Sequence, residues 1–244
     1  MRSSLIDTHL RPDPAQGVFE TLAVRDRRPQ ALGRHLERLA ASVADLYGER
    51  LPHDLESRVR LIARRLEGLH RLRVRADPAP GGVELRIESS PFSSPTRQPA
   101  IALSPVQLAG GLGPHKWSDR RLLQRLSSQR PTPLIVDRDG DVLEAAWANI
   151  WIAEGELITT PAADGRLLPG VTRALLLECA PSLGLKTATE PISVARAREA
   201  DAVFLTSSLR YAVTAAVEGG RSPKRHSPVV NVIRAALDGA GWDP

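Results

Sequence analysis

The chain has 244 residues, 42% of them hydrophobic, and 33 Lys and Arg against 28 Asp and Glu give a net charge of +5. That length and apolar content can bury a substantial core in one large or two small domains, which excludes a disordered polypeptide. The single cysteine, Cys179, excludes an intrachain disulfide framework and a thiolate metal cluster, fits a reducing cytosol, and lies in a helical apolar pattern that predicts a buried, inert thiol.

No apolar run approaches a membrane span and the first ten residues lack a signal-type core, so a soluble, cytoplasmic protein is expected. The arginines are scattered among the acids, and three Phe, two Tyr and four Trp leave little for stacking bases. The charge reads as solubility plus attraction for anionic small molecules, with no nucleic-acid or membrane partner.

Gly17 to Arg25 alternates apolar and polar residues as a half-buried strand does. Leu36, Leu39, Val43 and Leu46 then repeat at helical spacing, and Gly48 supplies the stop. A second helix is expected over Pro52 to Gly68. Strands at Leu72 to Ala76 and Val83 to Ile87 flank a Pro78, Pro80, Gly81, Gly82 hairpin signal. After a Ser/Pro-rich stretch, Ile101 to Leu103 reads as a short strand before a glycine-rich loop. Beyond it, apolar runs at 134–136, 150–152 and 202–205 alternate with helical patterns at 171–180 and 229–237, and Lys186 opens a strand. Mixed strands and helices in both halves indicate an α/β or α+β architecture in two domains. The expected division is a small domain over 1–106, an interdomain loop over 107–115 and a larger domain over 116–244.

Only three of the cations are lysine: Lys116, Lys186 and Lys224. Where arginine has taken the ordinary cationic positions, a retained lysine is a candidate for chemistry that needs a deprotonatable amine, such as a Schiff base. Lys116 stands out by its setting, between a Gly-Gly-Leu-Gly-Pro loop and an arginine-rich amphipathic stretch. Lys224 lies in a Ser-Pro-Lys-Arg-His-Ser-Pro loop. The histidines at 9, 53, 70, 115 and 226 form no metal-ligand spacing, and no metal is expected. His35 reads as structural.

Four segments, Gly17-Val-Phe-Glu-Thr21 with His35-Leu-Glu-Arg-Leu39, Lys116, Glu144 with Asn149, and Leu168-Pro-Gly-Val-Thr-Arg173, stand in an order and at intervals that closely resemble the class IV aminotransferases. These are the fold-type IV enzymes that use pyridoxal 5′-phosphate, with a two-domain fold like that of D-amino-acid aminotransferase. The resemblance covers about Gly17 to Ala215. It implies that Lys116 is the Schiff-base lysine and proton shuttle, and that Glu144 pairs with the pyridinium nitrogen. It implies further that Asn149 lies near the cofactor, and that Arg38, Val171, Thr172 and Ser208 hold the phosphate. Bottom-up chemistry agrees, since the cofactor needs an amine, an acid and an anion cradle, and amides opening a helix make such a cradle.

Within the family, Lys116-Trp-Ser-Asp-Arg120 is similar to the Lys-x-x-Asn-Arg of 4-amino-4-deoxychorismate lyases, with Asp119 as a departure. The two tyrosines, Tyr47 and Tyr211, contrast with the tyrosine-rich pocket of branched-chain enzymes. The resemblance therefore implies a lyase that makes p-aminobenzoate and pyruvate for folate synthesis. An amino-acid aminotransferase is the alternative; a non-catalytic cofactor-binding protein or an arginine-rich nucleic-acid binder ranks below it. Arg120 first, then Arg73, Arg75 and Arg210, are candidates to hold substrate carboxylates. The family implies a homodimer with its site between domains.

Overall fold

The computed structural model describes residues 11–93, 99–128, 131–221 and 227–243. Lys224, His226 and His9 lie outside them. Contacts divide the chain into two units, one formed by 12–96, 115–120 and 239–244, the other by 1–11, 97–114 and 121–238. This departs from a cut at 106. The strand expected at 101–103 belongs to the larger unit because it is paired on both edges there, and 115–120 belongs to the smaller unit because it pairs with that unit's first strand.

The smaller unit contains β1 (Val18–Arg25), β2 (Arg28–Pro29), α1 (Leu32–Tyr47), α2 (Leu55–Ala63), β3 (Leu69–Ala79) and β4 (Gly82–Pro91). The strands form an antiparallel sheet in the order β2-β1-β3-β4. Alternation sends Val18, Leu22 and Val24 of β1 and Leu72, Val74 and Ala76 of β3 to one face, where they bury against Leu39 and Val43 of α1 and Leu55 and Val59 of α2. Gly48 ends α1 in the left-handed conformation, its amide bonded to Ala44 O. The second helix is shorter than the expected Pro52 to Gly68. The carbonyls of Leu66 and Gly68 accept the Arg27 and Asp26 amides, which draws this stretch out of the helix and into the sheet's first turn.

The larger unit contains β5 (Ile101–Gln107), α3 (Arg121–Ser128), β6 (Thr132–Val136), β7 (Val142–Ala145), β8 (Ala148–Glu154), β9 (Leu157–Thr160), α4 (Val171–Cys179), β10 (Lys186–Thr189), α5 (Val194–Glu199), β11 (Ala202–Ser207), β12 (Tyr211–Val217) and α6 (Pro228–Gly239). Its strands run β10-β9-β8-β11-β12-β5-β6-β7, and a further β7–β8 pairing closes the sheet on itself. Ile150, Ile152, Leu205 and Leu134 pack beneath Ile192 and Ala197 around α5. Trp151 and Phe204 stack with ring centroids 5.9 Å apart, and Trp151 Nε1 donates to Thr206 Oγ1. Arg166 ties three aspartates, Asp137, Asp141 and Asp164, and Gly110 N–H bonds Asp137, so the glycine-rich loop and the chain before Leu168 share one ionic clasp. Cys179 ends α4 half-buried, with burial pushing its thiol pKa up. Among the described residues no helix is long and apolar enough to cross a membrane.

Gly17, where β1 begins, has φ +81°, and a Cβ there would come within 2.2 Å of Asp77 Oδ1 and 2.6 Å of the Ala76 carbonyl. A Gly17→Ala variant is expected to lose about 1–3 kcal/mol from backbone strain alone. Thermal unfolding followed by circular dichroism would show the drop in midpoint.

Candidate active site

Two sets of side chains emerge, one in each unit. In the smaller unit, residues 116–118 lie along β1. Phe19 N–H donates to Lys116 O at 2.9 Å, Ser118 N–H donates to Gly17 O at 3.0 Å, and Val18 bridges Trp117 antiparallel. The extended backbone alternates its side chains. Trp117 joins the helix-side core, and His115 reaches Ser42 and Asp45 of α1. Lys116 turns the other way, its Nζ 5.1 Å from the centroid of the Phe19 ring. Asp119, the departure from the lyase pattern, is buried and accepts the Asp13 amide at 3.0 Å, which pins the short lead-in Pro12–Gly17. Tyr47 donates its hydroxyl to Pro14 O in the same lead-in.

Beside this strand lies a buried ionic cluster that sequence reasoning recognised only in part. Arg38 Nε and Nη2 donate to Glu20 Oε1 and Oε2 at 2.7 and 2.8 Å, and His35 Nδ1 sits 2.7 Å from Oε2. Burial of the Glu20 carboxyl pushes its pKa up, but Arg38 and His35 outweigh it and hold the group well below the usual carboxylate range. Burial lowers the His35 pKa against the pull of Glu20, and Nδ1 faces a carboxylate oxygen that can only accept. His35 is thus structural as expected, but it bridges α1 to β1. The i, i+3 spacing of His35 and Arg38 on one helix face, opposite an inward-pointing Glu on a strand, was the available signal for Glu20.

In the larger unit, Glu144 and Asn149 are cross-strand partners in β7 and β8, both buried. The Leu168 amide donates to Glu144 Oε2 at 3.4 Å, and Asn149 Nδ2 donates to Leu168 O at 2.8 Å. A Cβ on Gly170 would come within 1.8 Å of Asn149 Oδ1, so only glycine lets the chain enter α4 here. Gly170 is the N-cap and no side chain caps the helix, which leaves the Val171 and Thr172 amides at its positive end. Thr172 Oγ1 lies 3.3 Å from Ser208 Oγ in the turn after β11. Arg173, one residue on, is buried and donates to the Pro161 carbonyl, anchoring the first turn of α4 to the end of β9.

This donor set suits the group that the resemblance names. Helix amides and two neighbouring hydroxyls are acceptable partners for a dianionic phosphate, and a buried carboxylate suits a protonated pyridine nitrogen. Of the substrate candidates, Arg75 donates through Nε to Asp77 at 2.5 Å and through Nη2 to Gln16 O at 2.8 Å. Arg210 stacks on Trp147, 4.7 Å from the ring centroid, and Arg120 is half-buried at the end of the Lys116 segment.

Replacing Glu20 with Gln breaks the buried pair and is expected to cost about 3–5 kcal/mol at neutral pH. Because the folded carboxyl titrates below its unfolded value, its stabilisation is complete above pH about 4.3 and fades as pH falls toward the folded value. Urea denaturation of wild type and Glu20→Gln between pH 7 and pH 3 should show the gap narrowing only on the acid side. Gly170→Ala, which must swing Asn149 off Leu168, should weaken retention of pyridoxal phosphate by up to about tenfold, as loss of a neutral hydrogen bond does; dialysis followed by absorbance reads this out.

A family model described as amino-transferase class IV matches residues 17–216. A branched-chain-amino-acid aminotransferase 1, mitochondrial, of Arabidopsis thaliana is 36% identical over 75 residues, covering 31% of this chain and 20% of that protein, so the match spans about a fifth of that relative's length. An aminodeoxychorismate lyase of Bacillus subtilis is 26% identical over 222 residues, covering 79% and 74% of the two chains. A structure described as a hypothetical aminotransferase from Mycobacterium tuberculosis, PLP-bound form, superposes with a TM-score of 0.79 at 22% identity over 99% of this chain and 95% of that one.

Proposed function

The chain belongs to the class IV aminotransferases, which makes it a pyridoxal-phosphate-dependent enzyme of fold type IV, and on that premise we propose that it is a 4-amino-4-deoxychorismate lyase releasing p-aminobenzoate and pyruvate. The observation that carries the lyase reading is the Lys116-x-x-Asp-Arg120 segment, together with a sequence that has only two tyrosines, Tyr47 and Tyr211. Tyr47 is spent on the Pro14 carbonyl, and Tyr211 is buried at the start of β12. The similarity to the Bacillus lyase across most of both chains supports the same reading.

In this reading Lys116 would hold the cofactor through its amine and would carry the proton that is removed from the substrate and returned. Pyridoxal phosphate, when bound, would supply an electron sink. Glu144 keeps the pyridine nitrogen protonated, and Asn149 holds the Leu168–Gly170 loop against it. Val171, Thr172, Ser208 and Arg38 are the proposed phosphate ligands. Arg120 is proposed for a substrate carboxylate, with Arg75 and Arg210 as lesser candidates because each is already engaged. A cytoplasmic homodimer is part of the proposal, as the family resemblance implies.

A second reading, an amino-acid aminotransferase, is favoured by the local identity to a branched-chain enzyme. Supplied with 4-amino-4-deoxychorismate, the purified protein should release p-aminobenzoate and pyruvate in equal amounts. Transfer from an amino acid to 2-oxoglutarate without pyruvate release would establish the second reading instead. Lys116→Ala should abolish turnover and the visible absorption of the bound cofactor together; a variant that keeps both contradicts the role of Lys116.

A further inference from the structure

A phosphate monoester brings about two negative charges to its site at neutral pH. The donors proposed for it in the larger unit, the Val171 and Thr172 amides and the Thr172 and Ser208 hydroxyls, are all neutral. A helix N-terminus adds the equivalent of only about half a positive charge. Arg38, the cation proposed with them, already has its charge matched by Glu20, which it grips through two nitrogens. Part of the phosphate charge is therefore left for another group to balance.

Arg173 has the properties of that group. It stands in the first turn of α4, one residue after Thr172, and a Cβ built on the N-cap Gly170 would lie 3.3 Å from its own Cβ. The residue is only 8% exposed. Nη2 donates to the Pro161 carbonyl at 2.9 Å, which carries no charge, and Nε is buried with no hydrogen-bond partner among the described residues. Burial alone works against the guanidinium charge, and no carboxylate among the described residues offsets it. Elsewhere in this unit Arg166 meets Asp137, Asp141 and Asp164, and Arg196 meets Glu154 and Glu190. A buried cation without a counter-ion is costly, and an anion bound nearby relieves that cost.

We propose that Arg173 is a positioning residue for the cofactor phosphate, which fastens the first turn of α4 to the end of β9 and supplies the positive charge that the neutral donors lack. This rests on the pyridoxal-phosphate reading above and adds to it a residue outside the proposed ligand set. Arg173 acts through its field and through the helix amides, so it favours the phosphorylated cofactor over the unphosphorylated one without being needed for the ring or the aldehyde.

The test is calorimetric titration of the full chain, freed of cofactor, with pyridoxal 5′-phosphate and with pyridoxal. The two share ring and aldehyde, so the ratio of their affinities isolates the phosphate. Arg173→Gln keeps an amide donor for the Pro161 carbonyl and removes the charge, whereas Arg173→Lys keeps the charge. Arg173→Gln should lower the ratio by about tenfold or more, the scale of two unit charges about 10 Å apart at an effective dielectric constant of about 20. Its affinity for pyridoxal should stay as in wild type, and Arg173→Lys should retain most of the ratio. If Arg173→Gln does not fold, Arg173→Met is the second charge-free variant, since an apolar side chain of similar length suits a buried position. An unchanged ratio, an equal loss of both ligands, or a lysine variant no better than glutamine overturns the inference. A wild type that binds neither compound sinks the functional reading and the inference with it, whereas a wild type that binds both alike sinks the inference alone.

Discussion

Two main-chain hydrogen bonds between 116–118 and the start of β1 are the constraint on which the placement of Lys116 depends. They draw a lysine from far along the chain onto a sheet whose other strands are complete before residue 92. Extended pairing also sets the direction of the side chain. With His115 and Trp117 committed to the α1 side, Lys116 has only the Phe19 side left. Gly17, at the turn into the strand, has no room for a Cβ because the Ala76 carbonyl and Asp77 of β3 lie against it.

The buried Glu20, His35 and Arg38 cluster works beside that strand as a fixed counter-charge. A carboxylate taken out of water is tolerable here because a guanidinium grips it through two nitrogens and the His35 imidazole adds a third contact. The same grip fixes the plane of Arg38, so an arginine proposed for phosphate binding has its orientation set before any ligand arrives. In the larger unit, Asn149 plays the comparable part. Its amide holds Leu168, and the side chain leaves room only for glycine at the entrance to α4.

Much of this was legible in the sequence where a residue's chemistry is unusual or its period is long. The first strand, the α1 helix with its Gly48 stop, the β3–β4 hairpin and the helices at 171 and 228 follow from side-chain periodicity that reports burial directly. Short buried strands did not announce themselves. β7 is buried at all four positions and β9 at three of four, so neither alternates, although each pairs with its sequence neighbour β8. The contact division departs from a cut at 106 for a different reason: nothing local says that Ile101–Gln107 will pair with β12, or that the Lys116 segment will return to β1.

By itself the sequence determined the chemical inventory and its order: an isolated lysine, a buried-type glutamate followed by Asn149, and a Pro-Gly entry to a helix. These depend on residue type and short spacing, which a linear chain carries in full. Only the tertiary structure decided what each arginine does. Arg38 grips Glu20, Arg75 is held by Asp77, Arg210 stacks on Trp147, and Arg73 shares the Phe19 ring with Lys116. In a chain where arginine is the ordinary cation, composition cannot rank one above another. Strand register does so, because it alone fixes which guanidinium meets a carboxylate and which is left facing the amine.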